Sequence, residues 1–345
     1  MNKYLHTLLI LFLLGPALIS AQSFQKNVSK TGTTAAPVLG IPVGAQAIGM
    51  GGAFVRIAND ATALHWNAAG IATLKGNEFA GVHTGWIAGT SFDFAGFVLQ
   101  LGGFGSLGVS VVSLSMDDMK VRTIEKPEGT GEFFNAHDLS GGISYARNLT
   151  DRFTIGFTGK FIQQRIWHMS ANAVAVDAGT LFRTDLFGGM VIGASISNFG
   201  TAMKLSGRDA REFYRVDPTK LGSNERIPFD VELDSWGLPL LFQLGLSTNI
   251  LNREQYRWTI AADALHPNDN YESVNAGTEF AFRNIFFLRG GYHSLFLSDA
   301  EGGLSLGFGV ASGMLFSTAT VNIDYAYRDM GRLEGVNVFS LAIEF

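Results

Sequence analysis

From about Asn77 to its last residue the chain alternates apolar and polar positions in segments of roughly ten residues, separated by turn residues. Phe153, Ile155 and Phe157 alternate with Thr154, Gly156 and Thr158. Tyr256, Trp258, Ile260 and Ala262 alternate with Arg257, Thr259, Ala261 and Asp263. Leu304, Leu306, Phe308 and Val310 face Gly303, Ser305, Gly307 and Gly309 in the same way. A strand has a side-chain period of two, so each segment presents one apolar face and one that water tolerates. The chain ends on such a segment, with Phe339, Leu341, Ile343 and Phe345 apolar and Val338, Ser340, Ala342 and Glu344 smaller or polar. Counted with weaker segments, the pattern predicts about 14 strands, an even number as in single-chain bacterial barrels.

The connections alternate too. Long, charged stretches follow the third predicted strand (Met116 to Ala136) and the seventh (Gly200 to Leu238), whereas even-numbered strands are followed by tight ones. Examples are Asn148-Leu149-Thr150-Asp151, Arg283-Asn284 and Ser312-Gly313-Met314. One exception is a short turn near Gly89-Thr90 after the first strand. An antiparallel, up-and-down transmembrane barrel has long loops on one side and short turns on the other. A soluble sandwich or solenoid has no reason to alternate in this way.

Composition narrows the class. The 345 residues are 47% hydrophobic and only 16% charged, with 42 Gly and 28 Phe, yet no later run is long enough for a membrane helix. Lys3, the apolar stretch Leu8 to Leu18 and the small residues before Gln22 predict a cleaved signal peptide over residues 1–21. The expected location is the outer membrane of a Gram-negative bacterium. The absence of cysteine excludes disulfides and thiolate metal sites. A net charge of −5 without a basic run gives no signal for nucleic acid. Scattered histidines, without a His-x-x-x-His pair or a Gly-x-Ser-x-Gly elbow, offer no catalytic, metal or cofactor site.

Residues 22–76 do not read as wall, so residues 77–345 are assigned to the barrel and 22–76 to an extension and partly helical plug in its lumen. Gly44 to Ala58 is small and apolar; Asn59-Asp60-Ala61-Thr62-Ala63-Leu64-His65-Trp66-Asn67-Ala68-Ala69-Gly70 follows. Asp60 is placed to cap a helix over Ala61 to Trp66, and Asn67 to start a second turn. A phosphate-binding loop is excluded by the missing Lys-Ser/Thr. This motif, with Asn59, Asp60, Trp66, Asn67 and Gly70, resembles the N-terminal signature of the PorV/PorQ family within the FadL-like outer-membrane barrels. The resemblance extends to the strand number and the aromatic terminus. Relatives carry Asn-Pro-Ala in the plug, where this chain has Asn67-Ala68-Ala69.

The resemblance implies two functions. One is binding or shuttling cargo of type IX secretion at the cell surface, with secretion components as partners. The other is a passive channel for long-chain fatty acids or another hydrophobic ligand. Both imply a monomeric, non-enzymatic protein whose partners include outer-membrane lipid and the barrel assembly machinery, with Phe339, Leu341, Ile343 and Phe345 as the assembly signal. Strand parity points Lys160, Arg257, Asp263, Glu279, Arg289, His293 and Asp324 into the lumen; a Lys or Arg facing lipid at mid-depth costs about 2–4 kcal/mol. The long connection after the seventh strand offers Arg211, Phe213, Tyr214, Arg215 and Trp236 as outer-loop binding candidates. Trp86, Trp167, Tyr256, Trp258 and Tyr327 are expected in interfacial girdles.

Overall fold

The computed structural model describes residues 30–345 apart from 187–188, 215–218, 220–225, 298–299 and 317–318. The signal-peptide residues 1–21 and the loop candidate Arg215 lie outside the described residues.

Fourteen long strands form a closed antiparallel barrel. They are β1 Glu78–Gly85, β2 Ser91–Gln100, β3 Ser106–Ser115, β4 Ala136–Asn148, β5 Phe153–Ile166, β6 Met169–Arg183 and β7 Val191–Gly200. The second half is β8 Leu241–Asn252, β9 Tyr256–Pro267, β10 Ser273–Phe282, β11 Phe286–Leu295, β12 Leu304–Phe316, β13 Ala319–Asp329 and β14 Gly335–Glu344. Each strand pairs with its sequence neighbours, and β1 pairs with β14 from Glu78↔Glu344 to Gly85↔Asn337, so the sheet has no free edge. Phe345 continues that seam by exchanging backbone hydrogen bonds with Asn77 at 3.0 and 2.9 Å.

One end of the barrel carries the long loops, and each of the two longest folds a small hairpin of its own. Met119–Lys120 pairs with Phe133–Phe134, and Arg211–Tyr214 with Ile227–Asp230. The other end has short turns. Arg283 and Asn284 both adopt left-handed backbone, φ 54° and 53°, the twist that suits a two-residue hairpin. Ser312-Gly313-Met314, expected as a turn, belongs instead to β12, which runs on to Phe316. No helix of the described residues is long and apolar enough to cross a membrane.

Burial follows the two-residue period. In β2, Phe92, Phe94 and Val98 point inward and are buried, while outward residues such as Val174, Leu306, Phe339 and Phe345 are more than half exposed. The apolar outer belt thus faces the surroundings, and the packed core lies inside the ring.

That core is made with the N-terminal segment. It contains a 3-10 turn at Pro37–Gly40, helix α1 (Ala45–Gly49), helix α2 (Ala63–Trp66) and a second 3-10 turn at Ala68–Thr73. Val38, Val43, Ala45, Met50, Phe54, Val55 and Ile71 are fully buried. Glycines on the inner wall make room for it. A Cβ on Gly49 would stand 3.0 Å from the Gly307 Cα, and side chains at Gly277 or Gly291 would collide with the Met50 backbone.

Two local expectations are corrected. Helix α2 starts at Ala63, not Ala61, because the chain enters through 3-10-type bonds, the Ala63 and Leu64 N–H groups donating to the Asp60 and Ala61 carbonyls at 3.0 and 3.3 Å. Asp60 caps this entry, its Oδ1 accepting the Thr62 N–H at 3.0 Å and also the Thr62 hydroxyl. Trp86 is not in a girdle. It shares the inward parity of Val82 and Thr84, and its ring packs 6.5 Å from the buried Phe92.

Candidate functional site

The N-terminal segment is tied to the wall by hydrogen bonds that start from its backbone. Asp263 Oδ2 accepts the N–H groups of Phe54 and Val55 at 2.8 and 2.9 Å. Ser340 Oγ accepts from Ala45 at 2.7 Å, and Glu78 Oε1 from Ala61 at 2.8 Å. Asn67 is the most connected of the motif residues. Its Nδ2 donates to the carbonyls of Val55 (2.9 Å) and Thr180 (3.2 Å), while its Oδ1 accepts from Ala69 N at 3.1 Å and starts the second 3-10 turn. Trp66 donates its indole N–H to the Val43 carbonyl at 2.8 Å, and Gly70 packs where a Cβ would collide with the Ala58 carbonyl. Asn59 is exposed toward the lumen, where it lines a cavity. Burial away from water lifts the Asp60 carboxyl to about 6, opposed by the hydrogen bonds from Thr62.

Of the seven polar lumen residues predicted from parity, four come together in one chain of charges. Arg289 donates to Glu279 at 2.8 Å and to Asp324 at 2.5 Å, and Arg257 donates to the other Glu279 oxygen at 2.9 Å. Gln46 of α1 joins through Glu279 at 3.3 Å. Lys160 stands apart, paired with Asp177 at 2.5 Å and bonded to Asn198 at 3.0 Å. Asp263 holds backbone, as described, and His293 lines a cavity.

Two cavities flank these anchors. Toward the long-loop end, a cavity of about 240 Å³ has mostly apolar walls, with Ile41, Ile48, Trp66, Trp86, Leu241 and Leu265 among them. Its polar positions are His293, Asn275, Gln243, Ser305 and Arg328. Ser305 and Arg328 oppose each other across β12 and β13. The Ser305 Oγ and the Arg328 Nε are both shielded from solvent and without a hydrogen-bond partner. Toward the short-turn end lies a polar cavity of about 210 Å³ lined by Gln46, Arg56, Asn249, Arg257, Thr259 and Glu279.

The outer-loop candidates sit elsewhere. Arg211 pairs with Asp230 at 3.4 Å across the loop hairpin, and Phe213 and Tyr214 are more than half exposed. Trp236 is half exposed and bridges to Met203 through backbone hydrogen bonds. Of the residues expected to act as an assembly signal, Phe339, Leu341 and Phe345 face outward, as does Ile343 by parity, and the Phe345 ring stacks on Phe97 at 6.3 Å.

Sequence reasoning missed Arg56, Asp177, Trp86 and Arg328 as lumen residues. Parity could have found Arg328, which lies four positions beyond the inward Asp324, and Asp177, on the inward register of β6. Nothing in the sequence singles out Arg56, whose direction is set by irregular backbone.

A family model described as an uncharacterised protein family, UPF0164, matches residues 15–160. No curated protein matches the chain by sequence. Among solved structures, the fold is similar to the CymD monoaromatic hydrocarbon channel (TM-score 0.56, 12% identity, covering 88% of this chain and 98% of that one). It is similar to the toluene transporter TbuX of Ralstonia pickettii (TM-score 0.52, 12% identity, 87% and 97%). A FadL homologue from Pseudomonas aeruginosa matches with a TM-score of 0.50, 11% identity and coverage of 88% and 98%. These likenesses are of the fold.

Proposed function

We propose that this chain is an outer-membrane channel that takes up a hydrophobic small molecule of the fatty-acid kind, entering from the long-loop side. The carrying observation is the cavity at that end, whose apolar wall adjoins two polar side chains left without partners, Ser305 and Arg328. A buried guanidinium without a counter-charge is costly, and an acceptor-bearing head group would satisfy it while the ligand's chain takes the apolar wall. The fold-level neighbours support this reading, since they are described as a hydrocarbon channel, a toluene transporter and a FadL homologue. In this reading the short turns and both ends of the barrel sequence face the periplasm, and the molecule acts as a monomer assembled through its terminal strand.

The test is binding of a fluorescent long-chain carboxylate to purified protein, with uptake by cells as a second readout. Arg328→Leu should weaken binding at least about tenfold, the scale of one charge-assisted hydrogen bond. Unchanged binding in that variant would sink the assignment of the site.

Type IX cargo shuttling, the first function that the motif's resemblance implies, has one structural feature in its favour. The loop hairpin carries exposed Phe213 and Tyr214, with the Arg226 guanidinium 5.6 Å from the Phe213 ring centre. Pull-downs in native detergent that return neither secretion partner nor surface-destined cargo would remove that reading without touching the first.

A further inference from the structure

The cavity at the short-turn end has a composition that its own ion pairs do not explain. Its walls are rich in donors and include one carboxylate, Glu279. Both oxygens of that carboxylate are taken, one by Arg257 at 2.9 Å and the other by Arg289 at 2.8 Å and Gln46 at 3.3 Å. Arg56 has nothing comparable. Its Nε is shielded from solvent without a hydrogen-bond partner, and among the described residues no carboxylate forms an ion pair with it. Glu279 in the same wall is already paired with Arg257 and Arg289, and Asp263 is bonded to the Phe54 and Val55 N–H groups. Burial first, then the charges of Arg183 and Arg257, bring the Arg56 guanidinium down to about 10, still protonated at neutral pH.

The fold nevertheless holds Arg56 firmly in place. A Cβ on Gly193 would stand 2.9 Å from the Arg56 Cα, and one on Gly245 would stand 3.4 Å from its N, so two wall glycines let its backbone lie on the strands. Asp263 fixes the two preceding N–H groups. A partly buried cation beside two others is repelled and poorly hydrated, and it persists where something anionic visits. The planar guanidinium fork matches the oxygens of a carboxylate or phosphate, and Asn249 and Ser247 supply further donors around the same space.

We infer that the short-turn cavity is an oxyanion-binding site, in which Arg56 and Arg257 grip a carboxylate or phosphate group. It is separate from the apolar cavity at the other end and does not depend on what that cavity binds.

Calorimetric titration of purified full-length protein in detergent, at constant ionic strength, tests this with inorganic phosphate and hexanoate as probes. Saturable binding of at least one probe is expected, weakened about tenfold or more by Arg56→Gln and unchanged by Arg332→Gln on an exposed loop. Tighter binding of phosphate would identify a free phosphate-type ligand. Tighter binding of hexanoate would identify the head group of a carboxylic amphiphile, and Arg328→Gln then separates this site from the outer one, because it should leave the Arg56-dependent binding in place. Absence of saturable binding by either probe, or equal affinity in wild type and Arg56→Gln, would overturn the inference. Should Arg56→Gln fail to give a heat-modifiable barrel, Arg56→Lys serves instead: it keeps the charge but loses the fork, and undiminished affinity for both probes would be equally fatal.

Discussion

At the scale of single residues, the charges inside this barrel act as anchors. Arg289 is nearly fully buried between Glu279 and Asp324. Removing one partner of such a group strands the others, so Arg289→Met should destabilise the barrel by about 3–5 kcal/mol. Urea unfolding followed by the heat-modifiable gel shift measures this; an unchanged midpoint would show the network to be solvated. Asp60 makes a pH-dependent contribution. Its carboxyl rises from the usual 3.8 to about 6 on docking, so the docked state binds the proton more tightly. Docking of the N-terminal segment therefore weakens as pH rises from the first value to the second and is flat above it. Glu78, Asp324 and Arg289 also face this carboxyl, and Asp60→Asn should flatten only its own part of the profile, as read by proteolysis within residues 44–73. The inward direction of Asp263, Glu279, Arg289 and Asp324 was legible from parity. Glu279 and Arg289 face each other across a single hairpin, but the partners of Asp263 were not legible, because Phe54 and Val55 lie 209 and 208 residues away in sequence.

At the scale of elements, the N-terminal segment and the wall are complementary in backbone rather than in side chain. Gly277 and Gly291 lie against Met50, and Gly307 against Gly49. Gly277→Leu should expel this stretch at a cost of about 1–3 kcal/mol, leaving a folded barrel whose residues 44–73 are cut faster by protease. Loss of the folded barrel in that variant would show the segment to be part of the structural core. The sequence signalled close approach by placing glycine at inner positions, but not which glycine meets which residue. It also overextended helix α2, since the entry at Ala61 and Thr62 is bonded in the 3-10 manner, a choice of backbone pairing that residue types do not settle.

For the whole molecule, closure rests on the seam between β1 and β14, extended by the hydrogen bonds of Asn77 with Phe345. Deleting Phe345 removes those two bonds and the ring stacked on Phe97. The truncated protein should reach the outer membrane at reduced yield, scored by heat-modifiable band intensity; wild-type yield would show that the terminal residue carries no assembly signal. Loop parity already separated the two ends of the barrel. It could not show that, among the described residues, the lumen holds a cavity with mostly apolar walls toward the long loops and a polar one toward the short turns.

By itself the sequence determined the strands, their number and which face of each looks inward, because a period of two and turn residues are local properties. Trp86 shows the limit: its parity pointed into the lumen, while its aromatic type suggested a girdle, and only the closed wall with Phe92 and the apolar cavity beside it decided between them. Arg56 shows it more fully. Its exposure, its missing partner and its place beside Arg257 follow from irregular backbone laid against Gly193 and Gly245, contacts that form only once the ring has closed.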